Sequence, residues 1–159
     1  MIVELTKKEV EKKLNQALLY LIRNDLYLLQ IDSNERSISH RLAIYLETEF
    51  KGWHVDCEYN RNGIDPKTLD FPDEDTNIYD TIAKTVFPDI IVHQRGIKNN
   101  LLVIEMKKST NQMKDKFDLK KLEEYKSQLG YKYAVFLRIN TGDVILDGKD
   151  IASETKWIE

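Results

Sequence analysis

The chain has 159 residues, of which 42% are hydrophobic and 32% are charged, a composition typical of one compact globular domain. We therefore expect a single domain over residues 1–159. Its formal net charge of −3 argues against a strongly basic protein that coats nucleic acid. No apolar run approaches the roughly 20 residues that cross a bilayer, so we expect no membrane segment and a cytoplasmic location. The single cysteine, Cys57, cannot form an internal disulfide, and we expect it to be a small buried residue.

Two helices are predicted in the N-terminal third. Thr6 and Glu9 have the spacing of a capping box, and apolar residues in helical rhythm follow them, which predicts a first helix from about Thr6 to Asn24. This helix would form an N-terminal helical extension over residues 1–31. A second helix is predicted to begin near Ser33 or Asn34, both good N-caps, and to continue to the glycine of Lys51-Gly52.

The rest of the chain predicts a sheet with one further helix. Segments rich in β-branched and aromatic residues predict five strands: Trp53 to Tyr59, Val86 to His93, Leu101 to Lys107, Tyr133 to Ile139 and Val144 to Leu146. Residues Gly96 to Asn100 would turn the second strand into the third. Between the third and fourth strands, apolar residues at helical spacing predict a helix that ends at Gly130. This order of elements predicts an α/β sandwich.

One long segment, Arg61 to Thr85, fits none of these elements. It is too polar and acidic to form a core and longer than an ordinary connection. We interpret it as an acidic loop insertion exposed to solvent.

The residues that suggest chemistry lie on the second and third predicted strands. Pro88-Asp89 and Glu105 would meet across the turn, and Mg²⁺ prefers such hard carboxylate ligands. The two-residue period of a strand places Glu105 and Lys107 on one face, where the lysine could orient or help deprotonate an attacking water and steady phosphate charge. A structural ion pair between Asp89 and Lys107 is the open alternative, because short motifs occur by chance.

Further charged residues are weaker candidates. Glu35 falls within an otherwise apolar stripe of the second helix, although it could simply complement the helix dipole. Glu58 is a further candidate metal or water ligand, and the alternative is an ordinary polar strand face shared with Asp56. Contacts to nucleic-acid phosphates are the other role considered, with solvated surface as the alternative, for Arg61, Lys108, Lys114, Lys116, Lys120 and Lys121.

Together these residues resemble a known family. Glu35 in a helix, Val86 to Val92 with Pro88-Asp89, and Leu102 to Ser109 with Glu105-Met106-Lys107 resemble the PD-(D/E)XK nuclease superfamily. The layout is similar to that of archaeal-type Holliday junction resolvases, and the resemblance covers about residues 34–140. It implies a restriction-endonuclease-like sandwich, with a central mixed β-sheet flanked by helices, to which this chain adds an extra N-terminal helix.

The resemblance also implies a site and an activity. Asp89, Glu105 and the backbone carbonyl of Met106 would bind Mg²⁺, for which Mn²⁺ could substitute. Lys107 would serve the attacking water, and Glu35 would support the metal. The implied function is a metal-dependent DNA endonuclease acting in repair, recombination or defence against foreign DNA.

Two other functions stay open at this point. The first is a catalytically inactive nuclease-fold module that binds nucleic acid or a partner protein, and the intact acids favour an enzyme over it. The second is a small-molecule enzyme, for which the sequence offers neither a phosphate-cradling glycine loop nor a nucleophile motif. We expect DNA as the partner and a homodimer that pairs two active sites. A larger protein partner is left open.

Overall fold

The computed structural model describes residues 4–69, 84–142 and 151–159. The helices are α1 (Lys7–Gln30), α2 (Glu35–Glu49) and α3 (Lys116–Leu129). The strands are β1 (His54–Cys57), β2 (Thr68–Leu69), β3 (Lys84–Thr85), β4 (Ile90–Gln94), β5 (Asn99–Lys108), β6 (Tyr133–Ile139) and β7 (Ala152–Ile158). In these described parts of the chain, no helix is long and apolar enough to cross a membrane.

Five of the strands form one mixed sheet in the order β1-β4-β5-β6-β7. The β5–β6 pair is parallel, and the three other pairs are antiparallel. The parallel pair is possible because α3 carries the chain back between β5 and β6. Strands β2 and β3 form a separate two-stranded sheet. The α/β expectation is therefore confirmed.

The helices cover both faces of the large sheet. On one face α1 and α2 pack together over β5 side chains such as Leu102 and Ile104. On the other face α3 packs through Leu122 and Tyr125 against Val103. The alternation along β5 thus sends neighbouring side chains to opposite helices. This matters for function, because Glu105 and Lys107 follow Val103 on the α3 side.

The two N-terminal helices follow their capping signals, but α1 is longer than predicted. Thr6 and Glu9 form the reciprocal capping box, and the side chain of Asn34 caps α2. The predicted end of α1 at Asn24 is wrong: the helix bends at Asp25 and continues to Gln30. The carboxylate of Asp25 accepts hydrogen bonds from Arg41 and Tyr45 of α2. This tertiary contact stabilises the bend, so the helix continues although the local sequence is polar.

Several predicted strand limits also need correction. The first strand ends at Cys57 because Glu58 takes a left-handed conformation (φ +49°), which breaks the extended backbone. The second begins only at Ile90, so Asp89 precedes β4 instead of lying within it. Strand β7 is not predicted from the sequence, since it lacks a regular apolar alternation. The predicted strand Val144 to Leu146 lies outside the described residues.

Burial corrects two more expectations. Cys57 is exposed and not buried. The predicted solvated loop from Arg61 to Thr85 contains the paired strands β2 and β3 near its ends. Lys67 and Leu69 are fully buried there, so this part is not a solvated loop. The middle of that segment, residues 70–83, lies outside the described residues.

Candidate active site

Asp89 and Glu105 are brought together where β4 begins and β5 approaches its end. The antiparallel register pairs Ile90 with Ile104, so the preceding Asp89 lies beside Glu105. The two carboxyl groups are close enough for each to influence the pKa of the other. One oxygen of Asp89 also accepts the backbone N–H of Met106 at 2.8 Å. The sheet register therefore produces a carboxylate pair from residues 16 positions apart in sequence.

This pair lies in a strongly desolvated environment. Glu105 is only 2% exposed. Burial raises the pKa of Glu105 well above its usual range, and the neighbouring charge of Asp89 adds to this effect. Burial also raises the pKa of Asp89, although the N–H of Met106 opposes the rise. Two carboxylates in such a place favour a shared proton or a bound cation.

Helix α3 supplies the remaining partners of Glu105. The hydroxyl of Tyr125 donates to Oε1 of Glu105 at 3.2 Å. The ammonium of Lys121 lies 3.5 Å from the same oxygen. Burial alone would lower the pKa of Lys121, but the charges of Glu105 and Asp118 raise it. A hydroxyl and a cation from one helix thus hold the orientation of the buried carboxylate.

Lys107 lies on the same face as Glu105, as its position in β5 predicts, but its ammonium contacts Asp118 of α3. The open alternative paired Lys107 with Asp89, whereas the ion pair found here is with Asp118. Asp118 is itself buried, and its second oxygen lies 3.3 Å from Lys121. The charged groups therefore form a continuous chain from Lys107 through Asp118 and Lys121 to Glu105.

Glu35 is the first residue of α2 and lines a cavity together with Asp89. Its Oε1 accepts the N–H of Lys108 at 3.2 Å and the side-chain amide of Asn111 at 2.8 Å. The carboxylate thereby ties the start of α2 to the end of β5. The cavity has a volume of about 190 Å³ and is lined by Glu35, Arg36, Ser39, Cys57, Glu58 and Asp89.

Glu58 borders this cavity, but its carboxylate pairs with Arg36 of α2 at 3.2 Å. The expectation that Glu58 shares a strand face with Asp56 is wrong. Asp56 instead contacts His93 at 2.7 Å and Arg95 at 2.5 Å. The left-handed backbone at Glu58 ends the alternation, and this change in direction brings the acid towards α2.

The donor set of the pair fits a hard divalent cation. Among the described residues, no three His, Cys, Asp or Glu side chains gather as a group that could hold a metal ion. Proteins nevertheless commonly bind Mg²⁺ through only one or two carboxylates, because the ion keeps several of its waters. The contact found for Met106 is that of its N–H, so its carbonyl as a ligand stays a prediction.

The predicted phosphate contacts differ in how accessible they are. Lys108 is engaged with Asp32, the two charged groups being 3.2 Å apart. Arg61 is exposed and donates to the neighbouring carbonyl of Asn60. Lys114 and Lys116 are exposed just before and at the start of α3. Lys116 therefore lies on the helix that also carries Asp118 and Lys121, and Lys114 lies two residues before it.

The partners on α3 are the part of the site that sequence reasoning largely misses. The sequence assigns no role to Asp118 and Tyr125, and it suggests Lys121 only as a phosphate contact. A signal for them exists, since residues 118, 121, 122 and 125 share one face of a helix. Charged residues beside the buried Leu122 indicate a polar partner on the strand below.

The case for a site here rests on the buried carboxylate pair and on the cations that α3 places around it. No family model matches the chain, and neither a curated protein nor a solved structure matches it.

Proposed function

We propose that this protein is a metal-dependent DNA endonuclease that hydrolyses phosphodiester bonds, built on a restriction-endonuclease-like sandwich. The observation that carries the proposal is the desolvated pair Asp89–Glu105 on adjacent strands, with the ammonium of Lys121 at 3.5 Å. The mixed sheet with helices on both faces supports the fold assignment.

The carboxylate pair is costly for the folded state. Burying charge is unfavourable, and two like charges placed side by side add repulsion. Perturbed acids of this kind cluster at functional sites. Held by Asp89 and Glu105, Mg²⁺ or Mn²⁺ would supply stabilisation of phosphate charge and a water of lowered pKa.

The protein's own groups then have distinct tasks. The N–H of Met106 holds Asp89, and the hydroxyl of Tyr125 holds Glu105, so both acids are oriented before substrate binds. The lysine ammonium groups oppose the negative charge that develops on the phosphate. Glu35 secures the end of β5 through the N–H of Lys108, which keeps Glu105 in register.

Binding of DNA is proposed to rely on phosphate contacts near α3. Lys114 and Lys116 are exposed beside the helix that faces the site. Such contacts give sequence-independent affinity, which weakens as salt rises. A homodimer would place two sites on the two strands of a duplex, and this assembly is part of the proposal.

One observation favours a second candidate, a catalytically inactive module that binds nucleic acid or a partner protein. The ammonium of Lys107, which the resemblance assigns to the attacking water, is paired with Asp118. A lysine in such an ion pair can have a purely structural role and take no part in catalysis. Only a cleavage assay separates this candidate from the enzyme.

The test is cleavage of linear, branched and single-stranded DNA with Mg²⁺ and with Mn²⁺. The wild type is expected to cut at least one of these substrates, and chelation of the metal should stop the reaction. Glu105→Gln should lose cleavage and metal binding while it stays folded. Glu123→Gln, on the exposed side of α3, is the matched control and should cut like the wild type. A wild type that binds DNA without cutting any of the three would favour the binding module.

A further inference from the structure

Among the described residues, the cation nearest the carboxylate pair comes from α3 and not from β5. The ammonium of Lys121 lies 3.5 Å from Glu105 and 3.3 Å from Asp118. Its side chain is 18% exposed, so it reaches the surface while it faces the buried acid. It is therefore placed to contact both Glu105 and a phosphate that approaches Glu105 from the α3 side.

Lys107 is placed differently, although it belongs to the same cluster of charged residues, which consists of Asp89, Glu105, Lys107, Asp118 and Lys121. Its ammonium contacts Asp118, and its side chain is 13% exposed. Among the described residues, Asp118 is the acid that its ammonium pairs with, and no described ion pair joins it to Asp89 or Glu105. Lys121, in contrast, contacts Glu105 directly.

We infer that Lys121, and not Lys107, is the catalytic lysine, and that its ammonium contacts the phosphate under attack. This inference rests on the proposed nuclease function and assigns the role of one residue within it. Lys107 becomes a positioning residue, because it holds Asp118, which in turn holds Lys121.

The role of Lys121 is electrostatic. An amine flanked by two carboxylates stays protonated, so it does not take the proton of the water. In hydrolysis the water oxygen bonds to phosphorus while the bond to the leaving oxygen breaks. The water releases a proton to solvent, and the leaving oxygen takes one from solvent. Lys121 donates hydrogen bonds to a phosphate oxygen as its charge grows.

Two further contacts restrict where this ammonium can lie. Its Nζ is 5.4 Å from the ring centre of Phe117, an attractive cation–π distance. Asp118 lies one helical turn earlier, at i−3, and thus on the same helix face. The long side chain is therefore held between an aromatic ring and two acids, which reduces the entropy lost when a phosphate binds.

The charges of the cluster agree with this role. Three acids, Asp89, Glu105 and Asp118, oppose the two lysines, which leaves one negative charge when all three are ionised and none when Asp89 and Glu105 share a proton. A divalent cation that displaces any shared proton brings the sum to one positive charge, and the cluster then attracts phosphate. Lys121 lies close to both the acids and the surface, so it is the lysine that a phosphate would meet.

The experiment compares Lys121→Met with Lys107→Met. The matched control is Lys126→Met, on the same helix, whose lysine contacts the backbone carbonyl of Ile158 and no acid of the cluster. The first measurement is the single-turnover rate with Mg²⁺ at saturating DNA. Lys121→Met is expected to cut about 100-fold more slowly or worse, the scale for losing one electrostatic group. Lys107→Met should lose roughly tenfold or less, and Lys126→Met should match the wild type.

The second measurement is Mn²⁺ affinity without DNA, which does not depend on turnover. Metal binding replaces a shared proton by a doubly charged ion, so it increases the repulsion that Lys121 exerts on the site. Removing that ammonium should therefore tighten Mn²⁺ binding by roughly tenfold, since charges near a surface interact at an effective dielectric of about 20. Lys121→Arg keeps the charge, so it should retain wild-type metal affinity and more cleavage than Lys121→Met.

The outcomes separate the two levels of the proposal. If the wild type cuts DNA and Lys121→Met cuts as fast, or Lys107→Met is the slower variant, the assignment of Lys121 is wrong while the nuclease function stands. Unchanged Mn²⁺ affinity in Lys121→Met would likewise overturn the assignment alone. If the wild type cuts no DNA, the proposed function and the inference fall together. Lys121→Arg is expected to fold even if Lys121→Met does not, so the assignment can be tested in either case.

Discussion

Replacing Glu105 with glutamine is expected to stabilise the metal-free protein while it removes metal binding. Glu105 is buried beside Asp89, so its ionised form is disfavoured in the folded state. Glutamine has nearly the same shape and keeps an oxygen that can accept a hydrogen bond from the hydroxyl of Tyr125. The substitution therefore removes the unfavourable charge without leaving a cavity.

The size of the gain has an upper limit. The ordinary pKa of a glutamate is 4.5, and each pH unit above it makes protonation cost about 1.36 kcal/mol. At pH 7 the folded protein thus loses at most about 3.4 kcal/mol to this group. Losing the attraction between Glu105 and Lys121 reduces the gain, so we expect about 1–2 kcal/mol. For a chain of this size that is roughly 2–8 °C in Tm.

The dependence on pH follows from the direction of the shift. Because burial raises the pKa of Glu105 in the folded state, the destabilisation is absent below pH 4.5 and grows as the pH rises. The gap between variant and wild type should therefore widen from pH 5 to pH 7. Excess Mg²⁺ should stabilise only the wild type, by about 2.7 kcal/mol at 100 times its Kd, and so close or reverse the gap.

The assay is thermal and urea unfolding in EDTA, repeated with Mg²⁺. Glu123→Gln, exposed on α3, controls for the loss of one surface charge and should stay within about 0.5 kcal/mol of the wild type. A Glu105→Gln protein less stable than wild type in EDTA at pH 7 would refute the reasoning. So would a gap that does not change between pH 5 and pH 7.

Three other outcomes are expected. Lys67→Met should raise the stability at pH 7 by about 1–2 kcal/mol in urea unfolding, because burial lowers the pKa of Lys67 to about 8. This gain is net of the hydrogen bond to the carbonyl of Arg61 and the cation–π contact with Tyr59, which are both lost. Wild-type stability should correspondingly rise between pH 8 and pH 10.5, whereas a flat profile would contradict the burial. Asn34→Ala should cost about 1 kcal/mol in the same assay, because it removes the cap on the N–H of Ser37. Light scattering should show a homodimer, and a single-chain mass would remove that prediction.

The helices and the central strands could be predicted because local signals and tertiary packing agree there. Asn34 caps α2 as its sequence indicates, and Gly130 ends α3 in the left-handed conformation expected of a glycine stop. The hairpin from β4 to β5 follows from Gly96 at its turn. At each of these positions one residue type suits one backbone conformation, so a single sequence is informative.

The limits of the elements could not be predicted where distant contacts decide them. Helix α1 passes Asn24 because Asp25 is held by Arg41 and Tyr45, residues about 16–20 positions away. Strand β7 exists because β6 offers an open edge to pair with, and its own sequence is largely polar. Local propensity carries no information about either partner.

In the candidate site, too, local signals predict some features and distant contacts decide the others. Period-two reasoning places Glu105 and Lys107 on one face, and the strand register then brings Asp89 to Glu105. The partner of Lys107 could not be foreseen, because it depends on the rotation of α3 about its axis. That rotation is set by Leu122 and Tyr125, which are buried against the sheet.

The polar face of α3 explains why this cluster points to function more than to stability. Along β5 the residues from Asn100 to Met106 are all buried, and Glu105 is the charged residue within that run. An apolar residue there would remove the need for Lys121 and Asp118, and replacing buried ion pairs by hydrophobic residues is often neutral or stabilising. A sequence that keeps all these charges departs from the rule that cores are apolar, and such departures are expected at functional sites. Cleavage and metal affinity of the Lys121 and Glu105 variants therefore test the proposed contribution of these charges to binding and chemistry, and unfolding of Glu105→Gln tests what they cost the folded state.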